Sequence, residues 1–463
     1  MAGSAAVVTR RSSLLSTLFL FYILPAVAGT AAAATQTDAA IDEAYAHLFN
    51  VTGDQEYWAE RAEAARAYNR AAYVSNPAVA VNRFNHAVRR ATAAARSRRS
   101  LAHQLGRGPC KATNPIDACW RCHDDWATNR KRLAKCGMGF GHKATGGLAG
   151  KIYVVTDPRD DPRDLAAPRK GTLRHAVVQD RPLWITFARD MAIELSQELI
   201  VNSDKTIDGR GAQVHLTGAQ VTLQNVHNVI IHNLRIHDAR PSGGGVIRDS
   251  ARHAGARGAS DGDGISVSGS SDVWIDHVSM HGCADGLIDV VDGSTAVTIS
   301  NGHFTRHDHV MLFGASDGAP KDRIMQVTVA FNHFGKGLVQ RMPRCRYGFF
   351  HVVNNDYTHW LMYAIGGSQN PTIISQGNRF RAVDDTKFKE VTNRVYTPYR
   401  EYKDWVWKSQ DDLFLNGAFF TQSGGRSDRR FDHSDLIQAK SGKYVQTLTK
   451  FAGALKCRAG KRC

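Results

Sequence analysis

Beyond residue 28, the 463-residue chain lacks any apolar run long enough to cross a bilayer. This absence excludes membrane-spanning segments from that part of the chain, and we expect a soluble protein without a membrane partner. Negative charge is also scarce, because 43 acidic residues face 59 lysines and arginines, for a formal net charge of +16. The excess of positive charge predicts attraction to polyanions.

The one long apolar run spans residues 14–27, after Arg10 and Arg11 and ahead of small residues. This order is typical of a secretory signal peptide, which we predict over residues 1–28. A membrane anchor is the alternative, but Ser16 and Pro25 shorten the uninterrupted stretch. In a secreted protein, Asn50 begins a glycosylation sequon. Outside the cell, acidic polysaccharide is the expected polyanion rather than nucleic acid.

A second cysteine pair that would complete a zinc motif with Cys119 and Cys122 is also lacking. The even number of eight cysteines instead predicts disulfides formed in an oxidising compartment. Their connectivity cannot be read from the spacing.

The chain divides into three parts that differ in composition and in the spacing of apolar residues. After the signal peptide, residues 29–108 are rich in Ala, Arg and Glu, with helical spacing over residues 56–70 and 79–96 separated by Pro77. We interpret this part as a short helical extension without a catalytic constellation. Residues 109–463 form the predicted main domain, where short β-rich runs are punctuated by Gly, Asn and Asp.

The β-rich runs recur at intervals of about 22 to 30 residues, or about twice that, which indicates a stacked solenoid. Each run is followed, five positions after one of its apolar residues (Ile231, Ile275, Ile299, Val329 and Val352), by a second apolar or aromatic residue; these are Ile236, Met280, Phe304, Phe334 and Tyr357. Four asparagines near the run ends can form a ladder between coils: Asn233, Asn301, Asn332 and Asn355. We predict an all-β fold, a right-handed parallel β-helix, since crossover connections favour that hand.

Two other architectures lack their signals. A leucine-rich repeat has a similar period, but its leucine ladder is absent. A β-sandwich requires hairpin turns every 8–12 residues or so, and these are scarce.

Three carboxylates and an arginine cluster fall in successive repeats of the predicted solenoid. Asp261, Asp285 and Asp289 offer oxygen ligands to a hard cation such as calcium. The sequence QRMPRCR at residues 340–346 follows, and arginine suits carboxylate-bearing ligands. Taken alone, Asp-Gly pairs are ordinary turn chemistry, but their recurrence in coil register favours a cation site for an anionic substrate.

Stacking brings these residues together, because strands of neighbouring coils lie about 4.8 Å apart. Asp285 and Asp289 would lie about 13 Å apart in an extended strand, too far to share one ion. The chain must therefore bend between them, and Gly286 is where a bend is least costly.

Several longer motifs resemble plant pectate lyases of polysaccharide lyase family 1. They are NPID and CWRC (residues 114–117 and 119–122), GTLRH (171–175), TIDGRG (206–211), WIDH (274–277), ADGLID (284–289) and VQRMPR (339–344). The resemblance covers residues 114–457, and the extension resembles that of some plant members.

The resemblance implies a parallel β-helix enzyme of the plant cell wall, a monomer that cleaves de-esterified homogalacturonan by calcium-dependent β-elimination. Asp261, Asp285 and Asp289 match the family's calcium ligands, and Arg341 matches its catalytic base. Arg346 matches an arginine that binds substrate carboxylate. Asp263 is implied only as a neighbour of the site. Arginine is normally protonated, so activity should favour alkaline pH.

The chain departs from the family pattern at residues 307–317, which read HDHVMLFGASD. The family often has lysine at the position of His309, a substrate contact, and histidine at the position of Ala315. Histidine holds an anion less strongly than lysine at alkaline pH. A pectin-binding cell-wall protein with weak or no lyase activity is therefore the alternative. A calcium-independent lyase for methyl-esterified pectin is disfavoured by the intact aspartates.

Overall fold

Three parallel sheets enclose the main hydrophobic core in the computed structural model, which describes residues 51–104, 110, 112–160, 168–424, 436 and 438–463. The predicted signal peptide and Asn50 lie outside the described residues. Residues Val51–Cys463 form one compact unit. No helix in the described ranges has the length and apolar character needed to cross a membrane.

Sheet A has ten strands in chain order: Lys151–Val155, Leu183–Phe187, Lys205–Asp208, His227–His232, Ser271–Asp276, Thr295–Ser300, Gln326–Ala330, Phe349–Val353, Thr372–Gln376 and Trp407–Gln410. Sheet B has nine: Met191–Glu194, Val214–Gly218, Arg235–Ala239, Ser279–His281, His303–Phe304, His333–Phe334, Asp356–Tyr357, Arg379–Arg381 and Leu413–Leu415. Sheet C has eight: Leu199–Ile200, Val221–Gln224, Ile265–Ser268, Ile288–Val291, Met311–Phe313, Arg344–Arg346, Ile365–Ser368 and Thr392–Arg394.

Two further strand pairs lie beside the sheets. Gly245–Arg248 pairs antiparallel with Ala254–Arg257, and His307–His309 pairs parallel with Leu338–Gln340. Within the three sheets every strand pairs in parallel with the strand one coil away, which is the topology of the predicted right-handed parallel β-helix. The fold prediction is confirmed.

The predicted coil register is also confirmed. The five β-rich runs lie in sheet A, and the residues that follow them lie in sheet B, where Met280 pairs with Ile236 and Phe304. Aromatic rings stack one on the next inside this sheet, with neighbouring centroids 4.5–5.7 Å apart. The stack contains Phe304, Phe334, Tyr357, Phe380 and Phe414. Burial of such large rings makes a major contribution to stability.

The asparagine ladder forms, but with different members. Asn332 donates to Asn355, which donates to Asn378, each over 3.0 Å, and Asn378 donates to Asp412 over 3.1 Å. The other two predicted members instead bind elsewhere: Asn301 contacts Asn114 and Asp276, and Asn233 bonds Leu455 near the C terminus. Both have left-handed backbones, which turn their side chains out of the ladder.

Helices cover the outside of the β-helix. The α-helices are α1 (Val51–Ala72), α2 (Pro77–Gln104), α3 (Pro115–Trp120), α4 (Leu173–Val177), α5 (Tyr399–Tyr402) and α6 (Val445–Leu448). The 3₁₀-helices are Asp124–Ala127, Arg130–Lys135, Phe140–Lys143, Gly146–Ala149, Pro320–Ile324, Thr386–Phe388 and Gly442–Tyr444. The two predicted helices are thus α1 and α2, and Pro77 begins the second, where its missing N–H costs nothing.

Buried amides attach the first two helices to the coils. Asn69 of α1 donates to the carbonyl oxygens of Gly269 and Gly293, and Asn85 of α2 donates to Gln376. These side chains are 0–3 % exposed, so the bonds are shielded from water.

Six of the eight cysteines form disulfides, as predicted for an oxidising compartment: Cys110–Cys122, Cys119–Cys136 and Cys457–Cys463. The CWRC pair is therefore divided between two disulfides rather than bound to zinc. Cys283 and Cys345 are free thiols inside the core.

Candidate active site and metal centre

The residues singled out from the sequence come from four successive coils. Asp261 and Asp285 precede adjacent strands of sheet C, whose coils are joined by the bond from Gly264 N to Gly286 O at 3.0 Å. The next two coils carry His309, which ends the first of the two short paired strands, and Arg341, which directly follows the second. The register of the β-helix, rather than closeness in sequence, builds the site.

Three carboxylates meet closely enough to share one ion. Oxygen atoms of Asp261, Asp263 and Asp285 all lie within 4.8 Å of one another. Asp289 completes the group from within its strand, with a buried side chain whose Oδ1 accepts from Leu312 N over 3.3 Å. Asp263, which the sequence indicated only as a neighbour, is a central member of this carboxylate site.

The carboxylate site spans a gradient of burial. Asp261 is exposed, Asp285 is half-buried, and Asp263 and Asp289 are buried. An ion can therefore enter from solvent at Asp261 and reach oxygen atoms that are already dehydrated. An all-oxygen donor set with several carboxylates suits a hard cation such as calcium.

The electrostatics of the site also fit a cation. Burial and repulsion from Asp261 raise the pKa of Asp263 to about 7. Burial, followed by repulsion from Asp263, raises the pKa of Asp289 well above its ordinary value, and burial raises that of Asp261. Ionisation of the whole group is unfavourable without a counter-charge, and a bound divalent cation would supply it.

The chain bends at Asp285 and Leu287, on either side of Gly286. The backbone of Gly286 does not lie in the left-handed region. The lack of a side chain matters for packing instead, because a Cβ there would lie 2.4 Å from Oδ1 of Asp289 and 2.8 Å from Oδ1 of Asp263. Glycine at this position leaves the space in which the two carboxylates converge.

His309 lies at the edge of the carboxylate site. Its Nδ1 is 3.4 Å from Oδ1 of Asp285, and its side chain is half-buried. The strand position of His309 pairs with Gln340, the residue before Arg341. Ala315, the second departure from the family pattern, is exposed.

Arg341 has a left-handed backbone with φ of 59°, and its carbonyl oxygen accepts from Met311 N over 2.7 Å. Its Nε is buried and has no hydrogen-bond partner within the described ranges. Its charge counteracts the rise in the pKa of Asp263. A cationic side chain with a free donor thus faces the carboxylate site.

Arg346 is bound within the protein. Its Nε donates to Asp317 over 2.8 Å, and its Nη1 donates to the carbonyl oxygen of Gly314 over 2.7 Å. Arg344, two residues earlier, lies on the same face of its strand and is half-buried, with an Nε that lacks a partner among the described residues. The sequence placed Arg344 in the arginine cluster without a role of its own, although the two-residue spacing from Arg346 is a signal for a shared face.

Other motifs that carry the resemblance hold the coils together away from this site. His277 contacts Asp117 at 2.7 Å between Nε2 and Oδ1, and both are fully buried. Burial acts to lower the pKa of His277, but Asp117 and Asp276 raise it above its ordinary value. The contact between Asp117 and His277 attaches α3 to sheet A, so the role of this pair is structural.

The chain matches two family models. The model described as "Pectate lyase" matches residues 186–398, and the model described as "Pectate lyase, N terminus" matches residues 50–101. The first range contains the carboxylate site and the arginines, and the second contains α1 and most of α2.

Among curated proteins, a pectate lyase of Lilium longiflorum is 59% identical over 416 residues, which cover 89% of this chain and 95% of the relative. Among solved structures, jun a 1, the major allergen from cedar pollen, is 44% identical with a TM-score of 0.70, covering 74% of this chain and 99% of that one. A pectate lyase from Bacillus sp. N165 in complex with trigalacturonate is 20% identical with a TM-score of 0.50, covers 67% of this chain and 95% of that one, and is similar in fold.

Proposed function

This chain belongs to the plant pectate lyases of polysaccharide lyase family 1 and is a pectate lyase, and we propose that it cleaves de-esterified homogalacturonan by calcium-dependent β-elimination. The observation that carries the calcium requirement is the convergence of three carboxylates within 4.8 Å. The Bacillus relative crystallised with trigalacturonate, an acidic oligosaccharide, which supports a polyanionic substrate. The net charge of +16 supports the same class.

In our proposal Asp261, Asp263, Asp285 and Asp289 hold the calcium ion. When bound, calcium would withdraw charge from a substrate carboxylate and make the adjacent C5 proton more acidic. The exposed Asp261 leaves one side of the site open to substrate.

We assign the removal of the C5 proton to Arg341, in its uncharged form. The bond from Met311 N holds its backbone, and its side chain is only half-buried, so that part of it is open to the substrate. The C4–O4 bond then breaks, its electron pair leaves on O4, which takes a proton from water, and the product has a double bond between C4 and C5. Neighbouring cationic side chains, among them Arg344, stabilise the negative charge that develops on the substrate.

In this proposal, His309 and Arg346 bind the substrate carboxylates that lie beyond the reaction centre. Arg346 is 9 % exposed and already bound to Asp317. It therefore acts as a pre-oriented donor rather than a flexible one, which lowers the entropic cost of binding.

The enzyme is proposed to work outside the cell, in the plant cell wall, as a monomer. Three disulfides agree with an oxidising compartment. Cleavage of the predicted signal peptide and glycosylation of Asn50 stay predictions, tested by mass spectrometry of the secreted protein.

The decisive experiment measures absorbance of unsaturated uronides on polygalacturonate with calcium and then with excess chelator. We expect alkaline activity that disappears on chelation and returns with calcium. Arg341→Ala should abolish turnover but retain polygalacturonate binding. Arg381→Ala, which changes an exposed residue of sheet B, serves as the control. Activity that survives chelation would overturn the calcium assignment, and a folded but inactive parent protein would favour the pectin-binding alternative.

A further inference from the structure

A second cluster of metal-ligating side chains lies on sheet B, apart from the carboxylate site. His237, Asp238 and His281 each place one ligand atom within 4.8 Å of the others. A fourth residue, His215, lies with its Nδ1 2.9 Å from Nε2 of His237. We refer to these four residues as the His237 cluster.

The parallel register of sheet B creates the cluster. His237 and His281 are direct partners on adjacent strands, and their rings stack with centroids 4.8 Å apart. Asp238 has a left-handed φ of 54°, which breaks the usual alternation of faces along the strand. Its Oδ2 therefore lies 2.7 Å from Nδ1 of His237, on the neighbouring residue.

The cluster is open to solvent. Both stacked histidines and His215 are half-buried, and Asp238 is exposed. A hydrated ion can therefore reach the ligand atoms without opening the core.

The donor set differs in kind from that of the carboxylate site. Two imidazoles and one carboxylate, with a position left for water, suit zinc and related transition metals, whereas calcium prefers oxygen ligands. We propose that the His237 cluster is a zinc site with His237 Nδ1, Asp238 and His281 as ligands.

His215 completes the arrangement as a positioning residue. A ligating histidine commonly bonds a second polar group through its other ring nitrogen, which fixes the orientation of the ring. The 2.9 Å contact from His215 to Nε2 of His237 supplies such a partner. A bound zinc ion would displace the proton of the hydrogen bond between His237 Nδ1 and Asp238 into solvent.

The site lies at the start of the segment that carries Asp285. His281 ends its strand, and Ala284 N donates to Ala239 O over 3.0 Å, next to Asp238. Calcium must therefore be present in excess during the test, so that the carboxylate site is filled and does not contribute.

The test titrates the full secreted protein, produced without a histidine tag, with zinc chloride in excess calcium by isothermal calorimetry. We expect one zinc ion per chain and an affinity at least about tenfold weaker in His237→Ala and in His281→Ala. His303→Ala is the matched control, since His303 stacks on His333 at the same 4.8 Å in the same sheet. Zinc affinity in that control should be unchanged.

Cobalt substitution gives a second readout, because a cobalt ion bound by histidines absorbs visible light with an intensity that reports its coordination. Should His237→Ala fail to fold, Asp238→Asn changes only an exposed side chain and should weaken binding likewise. Equal zinc affinity in parent and variants, absence of zinc binding, or binding that excess calcium abolishes would each overturn the proposal. Lyase activity is measured separately, so failure of the proposed function is distinguishable.

Discussion

The backbone N–H of Gly286 donates a hydrogen bond of 2.8 Å to Oδ1 of Asp263, and this contact joins two coils of the carboxylate site. The bond orients Asp263 while its carboxylate lies in a buried position. Because Gly286 lacks a side chain, Asp289 can approach the same point. One small residue thus allows two acidic side chains from different coils to face one ion.

Replacement of Gly286 by alanine should weaken calcium binding. The added methyl would lie 2.4 Å from Oδ1 of Asp289, well inside contact distance. Overpacking of this kind costs about 1–3 kcal/mol, which corresponds to about 5-fold to 150-fold in affinity. The calcium concentration for half-maximal activity measures the effect. Gly243→Ala, where a Cβ would meet nothing within 4 Å, is the control, and an equal loss there would refute the steric explanation.

Calcium binding should release protons near neutral pH. Burial and Asp261 raise the pKa of Asp263 to about 7. Below that pH the calcium-free protein holds a proton that the ion must displace, so affinity should rise as the pH increases through 7. Calorimetry in two buffers of different ionisation enthalpy counts the released protons. Asp263→Asn should reduce the count at pH 6.5, and an unchanged count would show that another group carries the proton.

Replacement of His309 by lysine should increase activity at alkaline pH. Histidine is largely uncharged there, whereas lysine keeps its charge and binds a carboxylate more strongly. One charge-assisted contact at this half-buried position should raise kcat/KM on polygalacturonate by about fivefold. Ala315→His, the other departure from the family pattern, is the comparison, since its exposed position predicts a smaller change. No gain in His309→Lys would mean that this position does not contact substrate.

Removal of Asp54 should loosen the hairpin that precedes Asp261. Asp54 of α1 accepts from Ala256 N over 3.0 Å and contacts His253 Nε2 at 3.1 Å, and it is 7 % exposed. Loss of a buried acceptor that leaves its donors unpaired costs about 1–3 kcal/mol. Chemical unfolding of Asp54→Ala measures this cost, and faster hydrogen exchange in residues 245–257 locates it. The exposed Glu56→Ala is the control; equal destabilisation there would contradict the attachment.

The periodic pattern of strands in the sequence predicted much of the fold. The five apolar runs lie in sheet A, and Ile236, Met280 and Phe304 stack as the repeat predicted. Periodicity succeeds here because each coil buries the same positions. The asparagine ladder was predicted only in part, since the left-handed backbones of Asn233 and Asn301 depend on turns that no local pattern specifies.

The site shows the same division. Asp261, Asp285 and Arg341 could be singled out because their residue types and family motifs suit cation and anion chemistry. The importance of Asp263 could not, because it depends on Asp285 and Gly286, which lie one coil away. The partner of Arg346, Asp317, is 29 residues distant in sequence, and nothing in the stretch 307–317 marks it as the partner of that arginine.

From the sequence alone follow the β-helix, the α1 and α2 helices, the disulfide-forming chemistry and the class of site, since composition and period dictate which surfaces are buried. Only the tertiary structure decided how four carboxylates are shared, why Gly286 must be small, and that His237 and His281 stand beside Asp238. Those outcomes depend on distances of a few ångströms between coils. Such distances are set by strand register and packing, and no segment of the sequence contains them by itself.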